Sequence, residues 1–452
     1  MKSTTSRHTT SPITAFGRTL DPALQSWVPS ANLPDTDFPI QNLPFGVFKN
    51  KQHAASYRCG IAIGDQILDL AALMERNLLT GTTAELRAAV AQDSLNALMA
   101  LGPEAGRSLR IQLSGILEAG AAHQAAVRDC LVPQAEAQMA LPARIGDFSD
   151  FYASLDHATN VGKQFRPDNP VLPNFKWLPV AYHGRASSIR PSGHPVYRPN
   201  GQKMKAGAAR PEFGPSERLD YEAEIGFLVG SGNPLGHAVG IDDAEKHVFG
   251  LCILNDWSAR DIQSWEYQPL GPFLAKSFMS TLSPWVVTLD ALEPFRSGWQ
   301  RGRQDPPLLE HLSAAWLGER GAIDVRLQVS LQSRKMHEQR MDPMALSTSL
   351  LRDSYWTVAQ IMAHHTSNGC NLQPGDLLGS GTVSGPSQDT LACLLEQTQG
   401  GKHPITLPTG ETRLFLEDGD TVIMKAWCEA EGRRRLGFGE CRGTIMAAPA
   451  RI

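Results

Sequence analysis

The sequence predicts a mainly β chain with α/β elements, built from two unlike parts, and three observations predict it. Short strand-like runs lie between Leu43 and Leu70, and a helix-rich stretch follows to about Cys130. Beyond residue 145, Gly and Pro punctuate many short segments that alternate with period 2. In the first part Ile61-Ala-Ile63 and Gln66-Ile-Leu68 flank Gly64-Asp65, a hairpin signal in small-barrel material. Leu86, Ala89 and Val90, then Leu98 and Leu101, carry helical spacing and read as packing helices. In the second part Val325, Leu327, Val329 and Leu331 face one way and Arg326, Gln328 and Ser330 the other, as on a half-buried strand. Val248 to Leu254 is continuously apolar and of buried-strand length, and His364-His365 continues a helical pattern from Tyr355. The reading divides the chain into a flexible tail at 1–36, an N-terminal domain at 37–145 and a C-terminal domain at 146–452.

Composition narrows the function classes. The 452 residues include 42 Lys or Arg and 46 Asp or Glu, for a net charge of −4, with 42% hydrophobic and 19% charged residues. Disorder as the main theme is excluded, and without a basic stripe a nucleic-acid partner is not expected. Apolar runs fall far short of the ~20 residues of a membrane-spanning helix. Seven scattered cysteines without a C-x-x-C pair point to free thiols in a reducing cytoplasm. No nucleophile elbow, phosphate loop or zinc helix is present, and Gly379-Ser-Gly381 reads as a turn rather than a cofactor cradle.

Acidic residues carry the chemistry. Along Arg218 to Val229, Glu222 and Glu224 share a strand face, roughly 6 to 7 Å apart, a span one divalent cation can bridge. On that pair alone a solvated strand face is the simpler reading. Asp256 follows the buried strand just before a helical pattern, where it could equally cap the helix. Ile145 to Asn160 reads as helical turns that put Asp150 and His157 on one face, about 10 Å apart along the axis. Four converging carboxylates would repel unless a cation neutralised them, and an all-oxygen set favours calcium, magnesium or manganese.

Five stretches carry a resemblance. They are Asp37-Phe-Pro-Ile-Gln-Asn-Leu-Pro-Phe-Gly-Val-Phe48, Asp150-Phe-Tyr-x-Ser-x-x-His-Ala-Thr-Asn-Val-Gly162, Tyr182-His-Gly-Arg-Ala-Ser-Ser188, Asn255-Asp-Trp-Ser-Ala-Arg-Asp-Ile-Gln263 and Asn368-Gly-Cys-Asn-Leu-x-Pro-Gly-Asp-Leu-Leu378. From about Asp37 to Met446 the chain resembles the fumarylacetoacetate hydrolase family. The resemblance implies an N-terminal SH3-like barrel, a C-terminal β-roll and a homodimer. It implies hydrolysis of the carbon–carbon bond of 4-fumarylacetoacetate to fumarate and acetoacetate, the last step of tyrosine breakdown. It makes Asp150, Glu222, Glu224 and Asp256 calcium ligands, His157 the general base and Glu396 the acid that orients it. Arg260, Gln263 and Lys276 assist catalysis, and Tyr152, Arg166, Tyr182, Gln263, Tyr267 and Thr382 bind substrate. A second cation, magnesium, falls to Asp256, Lys276 and Ser280. Met279 and Ser280 stand where the family pattern has Gly and Thr, and Ala181 where it has Gly; serine keeps the oxygen ligand. Other readings are a relative acting on a different acylpyruvate or oxo acid, and a catalytically silent metal-binding dimer. Ser333 to Pro343 reads as a surface loop.

Overall fold

The computed structural model describes residues 14–50 and 56–450. Near the N-terminus five short strands form an antiparallel sheet, in the order 131–133, 66–69, 58–63, 45–50, 137–139. Its central hairpin pairs Ile63 with Gln66 around Gly64, whose φ of 55° suits the tight turn. The strands 131–133 and 137–139 occupy opposite edges, so the sheet is a half-barrel. It closes against helices, the longest being Pro103–Leu117, whose Leu109, Leu113 and Leu117 are buried at helical spacing.

The reading of residues 1–36 as a flexible tail is corrected for residues 14–36; residues 1–13 lie outside the described ones. Val28 and Ala31 are buried, Trp27 donates its indole N–H to Ile116 O at 2.8 Å, and Ser26 bridges to Glu118. Below this segment the buried Arg110 donates to Thr19 Oγ1 at 3.0 Å, Asn42 O at 2.8 Å and Gln41 O. A polar, Ser/Thr-rich composition masked these few anchors.

An eight-stranded sheet forms the centre of the molecule. Its path runs 181–183, 148–151, 377–379, 223–229, 248–256, 280–282, 189–191, with 287–288 pairing to 248–256. Both faces are covered, which is why 223–229 is buried at every position. Ile225, Phe227, Leu251 and Ile253 join one core with a third sheet, ordered 344–350, 326–332, 421–428, 436–446, 196–197. Leu228, Cys252, Leu254 and Leu282 face the other way and pack with the N-terminal half-barrel and its helices. The mainly β class and the alternation of 326–332 stand as expected, with Leu327, Val329 and Leu331 buried.

Two local readings are corrected. Asp150 does not share a helix with His157: Phe148–Phe151 is a buried strand, held between 377–379 and 181–183, and the helix Leu155–Phe165 starts only after Ser154 caps it through His157 N. Sheet pairing on both sides outweighs the helical spacing. The segment after Gln332 holds a short helix, Arg334–Glu338, capped by Ser333, with Met336 fully buried. No helix among the described residues is long and apolar enough to cross a membrane.

Candidate active site

One row of residues crosses the eight-stranded sheet. Asp150 pairs with Tyr182 on one side and Gly379 on the other; Gly379 pairs with Gly226, two residues from Glu224; and Asp256 pairs with Ser280 at the far strand. Strands lie ~4.8 Å apart, so Asp150 and Glu224, separated by a whole strand, would not normally touch. They meet because Gly379 has no side chain: a Cβ there would lie 2.4 Å from Asp150 Oδ1 and 2.9 Å from Glu224 Oε2. Carboxylate oxygens of Asp150, Glu224 and Asp256 thus come within 4.8 Å of one another, all buried. The glycines of Gly379-Ser-Gly381 are therefore part of the candidate site. Gly381, with φ of 73°, donates its N–H to Glu224 Oε2 at 3.2 Å.

The electrostatics follow from this packing. Burial, and then the neighbouring Asp256, push Asp150 up to about 8. Burial raises Glu224 well above the carboxylate range, with Asp150 and Asp256 adding to it. Asp150 Oδ1 and Glu224 Oε1 are buried with no hydrogen-bond partner. Buried oxygens of this kind carry a large cost unless a proton or cation satisfies them, so the donor set fits a hard divalent ion.

Glu222 lies to one side of this trio. Its oxygens take Lys276 Nζ at 2.5 Å and Arg260 Nη1 at 2.6 Å. Burial raises its pKa, but these two cations outweigh burial and hold it well below the usual range. Lys276 also donates to Asp256 at 2.6 Å, and Asp256 accepts from Tyr182 OH and Ser280 Oγ, each at 2.8 Å. Burial favours a neutral Lys276, yet Asp256 and Glu222 prevail and raise it, so the amine is an ammonium without a lone pair. Asp256 caps no helix, because the next one begins at Arg260 with Ala259 as its N-cap.

The second centre is built on the helix Leu155–Phe165. His157 Nδ1 lies 2.7 Å from Glu396 Oε2, both buried. Glu396 sits on the short helix Leu394–Gln397, whose first turn is anchored by Asp220 accepting from Leu394 N at 2.8 Å and Leu395 N at 2.9 Å. Asp220 also takes Arg260 Nε at 2.9 Å, which ties the histidine's partner to the cationic side of the acidic row. Burial raises Glu396, but His157 and donated hydrogen bonds overcome it and hold the carboxyl at about 2. Tyr152 meets the His157 ring edge-on, with centroids 5.2 Å apart.

Other predicted residues divide. Gln263 accepts from Arg260 at 3.1 Å, and Thr382 is buried directly after Gly381 with its hydroxyl unpartnered. Tyr267 sits just past the helix Arg260–Glu266 and accepts from Gln268 at 3.0 Å. Arg166 closes the end of the His157 helix, its guanidinium 3.4 Å from Pro170 O and directed at no member of either centre among the described residues. Sequence reasoning gave no role to Asp220, Asn160, Ser384 or Cys393. Asn160, three residues after His157 and so on its helix face, donates to Glu396 Oε1 at 3.0 Å, a signal the spacing did carry. Ser384 at 2.6 Å and the Cys393 thiol at 3.1 Å meet Glu396 Oε2 only through the fold.

Comparison with known proteins matches this architecture. The C-terminal model of fumarylacetoacetate (FAA) hydrolase covers residues 148–446, and the N-terminal model of fumarylacetoacetase covers 41–142. The chain belongs to the fumarylacetoacetate hydrolase family. Within this family it is 46% identical to the fumarylacetoacetase of Arabidopsis thaliana, over 92% of this chain and 97% of the relative. Against the fumarylacetoacetase of Homo sapiens identity is 45%, over 94% and 99% of the two chains. A solved fumarylacetoacetate hydrolase from Exiguobacterium antarcticum, 16% identical, shares the fold at a TM-score of 0.50 over 90% of this chain and 99% of its own.

Proposed function

We propose that this chain hydrolyses 4-fumarylacetoacetate to fumarate and acetoacetate, the closing step of tyrosine and phenylalanine catabolism. One observation carries the reading: a buried His157–Glu396 dyad accompanies a buried row of three carboxylates, two of which, Asp150 and Glu224, hold an unpartnered oxygen, in a chain about 45% identical to fumarylacetoacetases along nearly its whole length.

Glu396 accepts from Nδ1, which fixes the imidazole tautomer and leaves the Nε2 lone pair as the base. Water gives its proton to Nε2 as it adds to the carbonyl, and Glu396 stabilises the imidazolium that forms. The bond to the acetoacetate carbon then breaks, and the imidazolium returns the proton to that carbon. Lys276 and Arg260, kept cationic by Glu222, Asp256 and Asp220, present fixed positive charge to the departing enolate, with Gln263 orienting Arg260. Tyr152, Tyr182, Tyr267 and Thr382 line the substrate, with Arg166 a clamp for its carboxylate. Asp150, Glu224 and Asp256, with Glu222 alongside, would hold calcium, which when bound supplies Lewis-acid polarisation of the diketone oxygens. A second ion, magnesium, would have to use Ser280 and Asp256 oxygens or backbone carbonyls in place of the Lys276 ammonium.

The gap between the two matched segments supports a domain boundary near residue 145. The enzyme is proposed to act in the cytoplasm as a homodimer. The test is loss of diketone absorbance from fumarylacetoacetate, before and after chelation and with calcium or magnesium restored. Metal-dependent loss with release of fumarate and acetoacetate is expected. No loss in any metal would refute the substrate.

A further inference from the structure

A second donor set lies within the dyad itself. A ring nitrogen of His157, Cys393 Sγ and a Glu396 carboxylate oxygen all fall within 4.8 Å of one another, and all three residues are buried. The thiol and the ring nitrogen converge on the same oxygen, Glu396 Oε2, at 3.1 and 2.7 Å. Ser384 Oγ reaches that oxygen too, at 2.6 Å. Nitrogen, sulfur and oxygen at this spacing are a borderline-soft set, unlike the all-oxygen row of Asp150, Glu224 and Asp256. By ligand chemistry, hard ions suit the carboxylates, and zinc or cadmium suits the dyad.

We infer that His157, Cys393 and Glu396 form an inhibitory site for zinc-class cations, with the Ser384 hydroxyl or a water completing four-coordination. The consequence for the base follows from the tautomer. At rest Nδ1 carries the proton facing Glu396, and Nε2 keeps the lone pair. A metal on Nδ1 needs the Nδ1 lone pair, so the ring proton moves to Nε2 and the base is gone. The exchange balances: the cation enters, the Cys393 thiol proton leaves to solvent, Glu396 is already a carboxylate and the imidazole stays neutral. A coordinating metal deprotonates a thiol outright, so the buried thiol is no obstacle.

The loss of turnover rests on the dyad reading given above, whereas binding does not, and the experiment separates them. Calcium-saturated protein is titrated with cadmium, following the thiolate-to-metal ultraviolet band, and with zinc, following turnover. A band of one equivalent is expected in wild type and in Cys370→Ser, and none in Cys393→Ser or Cys393→Ala. A band that survives removal of Cys393 overturns the site. Zinc absorption spectroscopy on wild type needs no variant: one sulfur at about 2.3 Å with nitrogen and oxygen at about 2.0 Å is expected, and a shell without sulfur overturns it. Zinc should abolish turnover without relief by excess calcium, and Cys393→Ser should raise the half-inhibiting zinc concentration at least tenfold, each variant compared with its own zinc-free rate. Relief by calcium would move the inhibition to the carboxylate row. Cadmium bound through Cys393 with turnover untouched would overturn the inhibitory half, and with it the base assigned to His157.

Discussion

Glu396→Gln isolates what the carboxylate does for the histidine. The substitution keeps shape and volume but removes the charge beside His157 Nδ1, 2.7 Å away. In the proposed mechanism His157 becomes an imidazolium in the transition state, with charge centres about 4 Å apart once spread over ring and carboxylate. At an effective dielectric constant of about 20 that attraction is about 4 kcal/mol. One decade of rate is about 1.4 kcal/mol, so kcat should fall roughly 10³-fold. The amide can also donate to Nδ1 and stabilise the wrong tautomer, which acts in the same direction. Steady-state and single-turnover decay of diketone absorbance, with calcium saturating, should show the fall in kcat with KM changed less than about threefold. Turnover within tenfold of wild type would refute the assignment of Glu396. The same carboxyl links stability to acid. Its folded pKa lies below its ordinary value, so its ionised form stabilises the native state above pH 4.5 and this contribution is lost as pH falls towards 2. Thermal unfolding followed over that window should fall less steeply in Glu396→Gln than in wild type.

Three further outcomes are expected. Glu224→Gln should leave the cation-free protein at least as stable, since it removes a repelling carboxyl, yet abolish the stabilisation expected from calcium at the proposed site, about 2.7 kcal/mol at a hundredfold excess over Kd; scanning fluorimetry with and without calcium checks both halves. Gly379→Ala should weaken calcium binding on the order of 10- to 100-fold by calorimetry, because its Cβ would intrude between Asp150 and Glu224; unchanged affinity would mean the bare backbone is not what lets the two carboxylates meet. Arg110→Ala should cost about 2–4 kcal/mol in denaturant unfolding, because it frees buried carbonyls of Gln41 and Asn42 and releases Thr19; a loss under 0.5 kcal/mol would show that the segment from residue 14 is held some other way.

Much of the candidate site was legible in the sequence alone. The alternation around Glu224, the apolar run ending in Asp256 and the motif holding His157 named the residues, since each is a local pattern in the chain. Local pattern misled at Asp150, where helical spacing continues through residues that the fold uses as a strand between two partners. It also misled at residues 14–36, where a few buried contacts outweigh a polar composition.

The sequence by itself determined the mainly β class, the family and the chemical types of the site residues, because identity and short-range periodicity are properties of the chain alone. Only the tertiary structure decided that Asp150 and Glu224 meet across a glycine, that Lys276 and Arg260 take Glu222 away from the carboxylate trio, and that Asp220, Ser384 and Cys393 gather around Arg260 and Glu396. The physical reason is strand order. A carboxylate's partner and charge state depend on which strands lie beside it, and the sheet sets side by side segments that the chain keeps far apart.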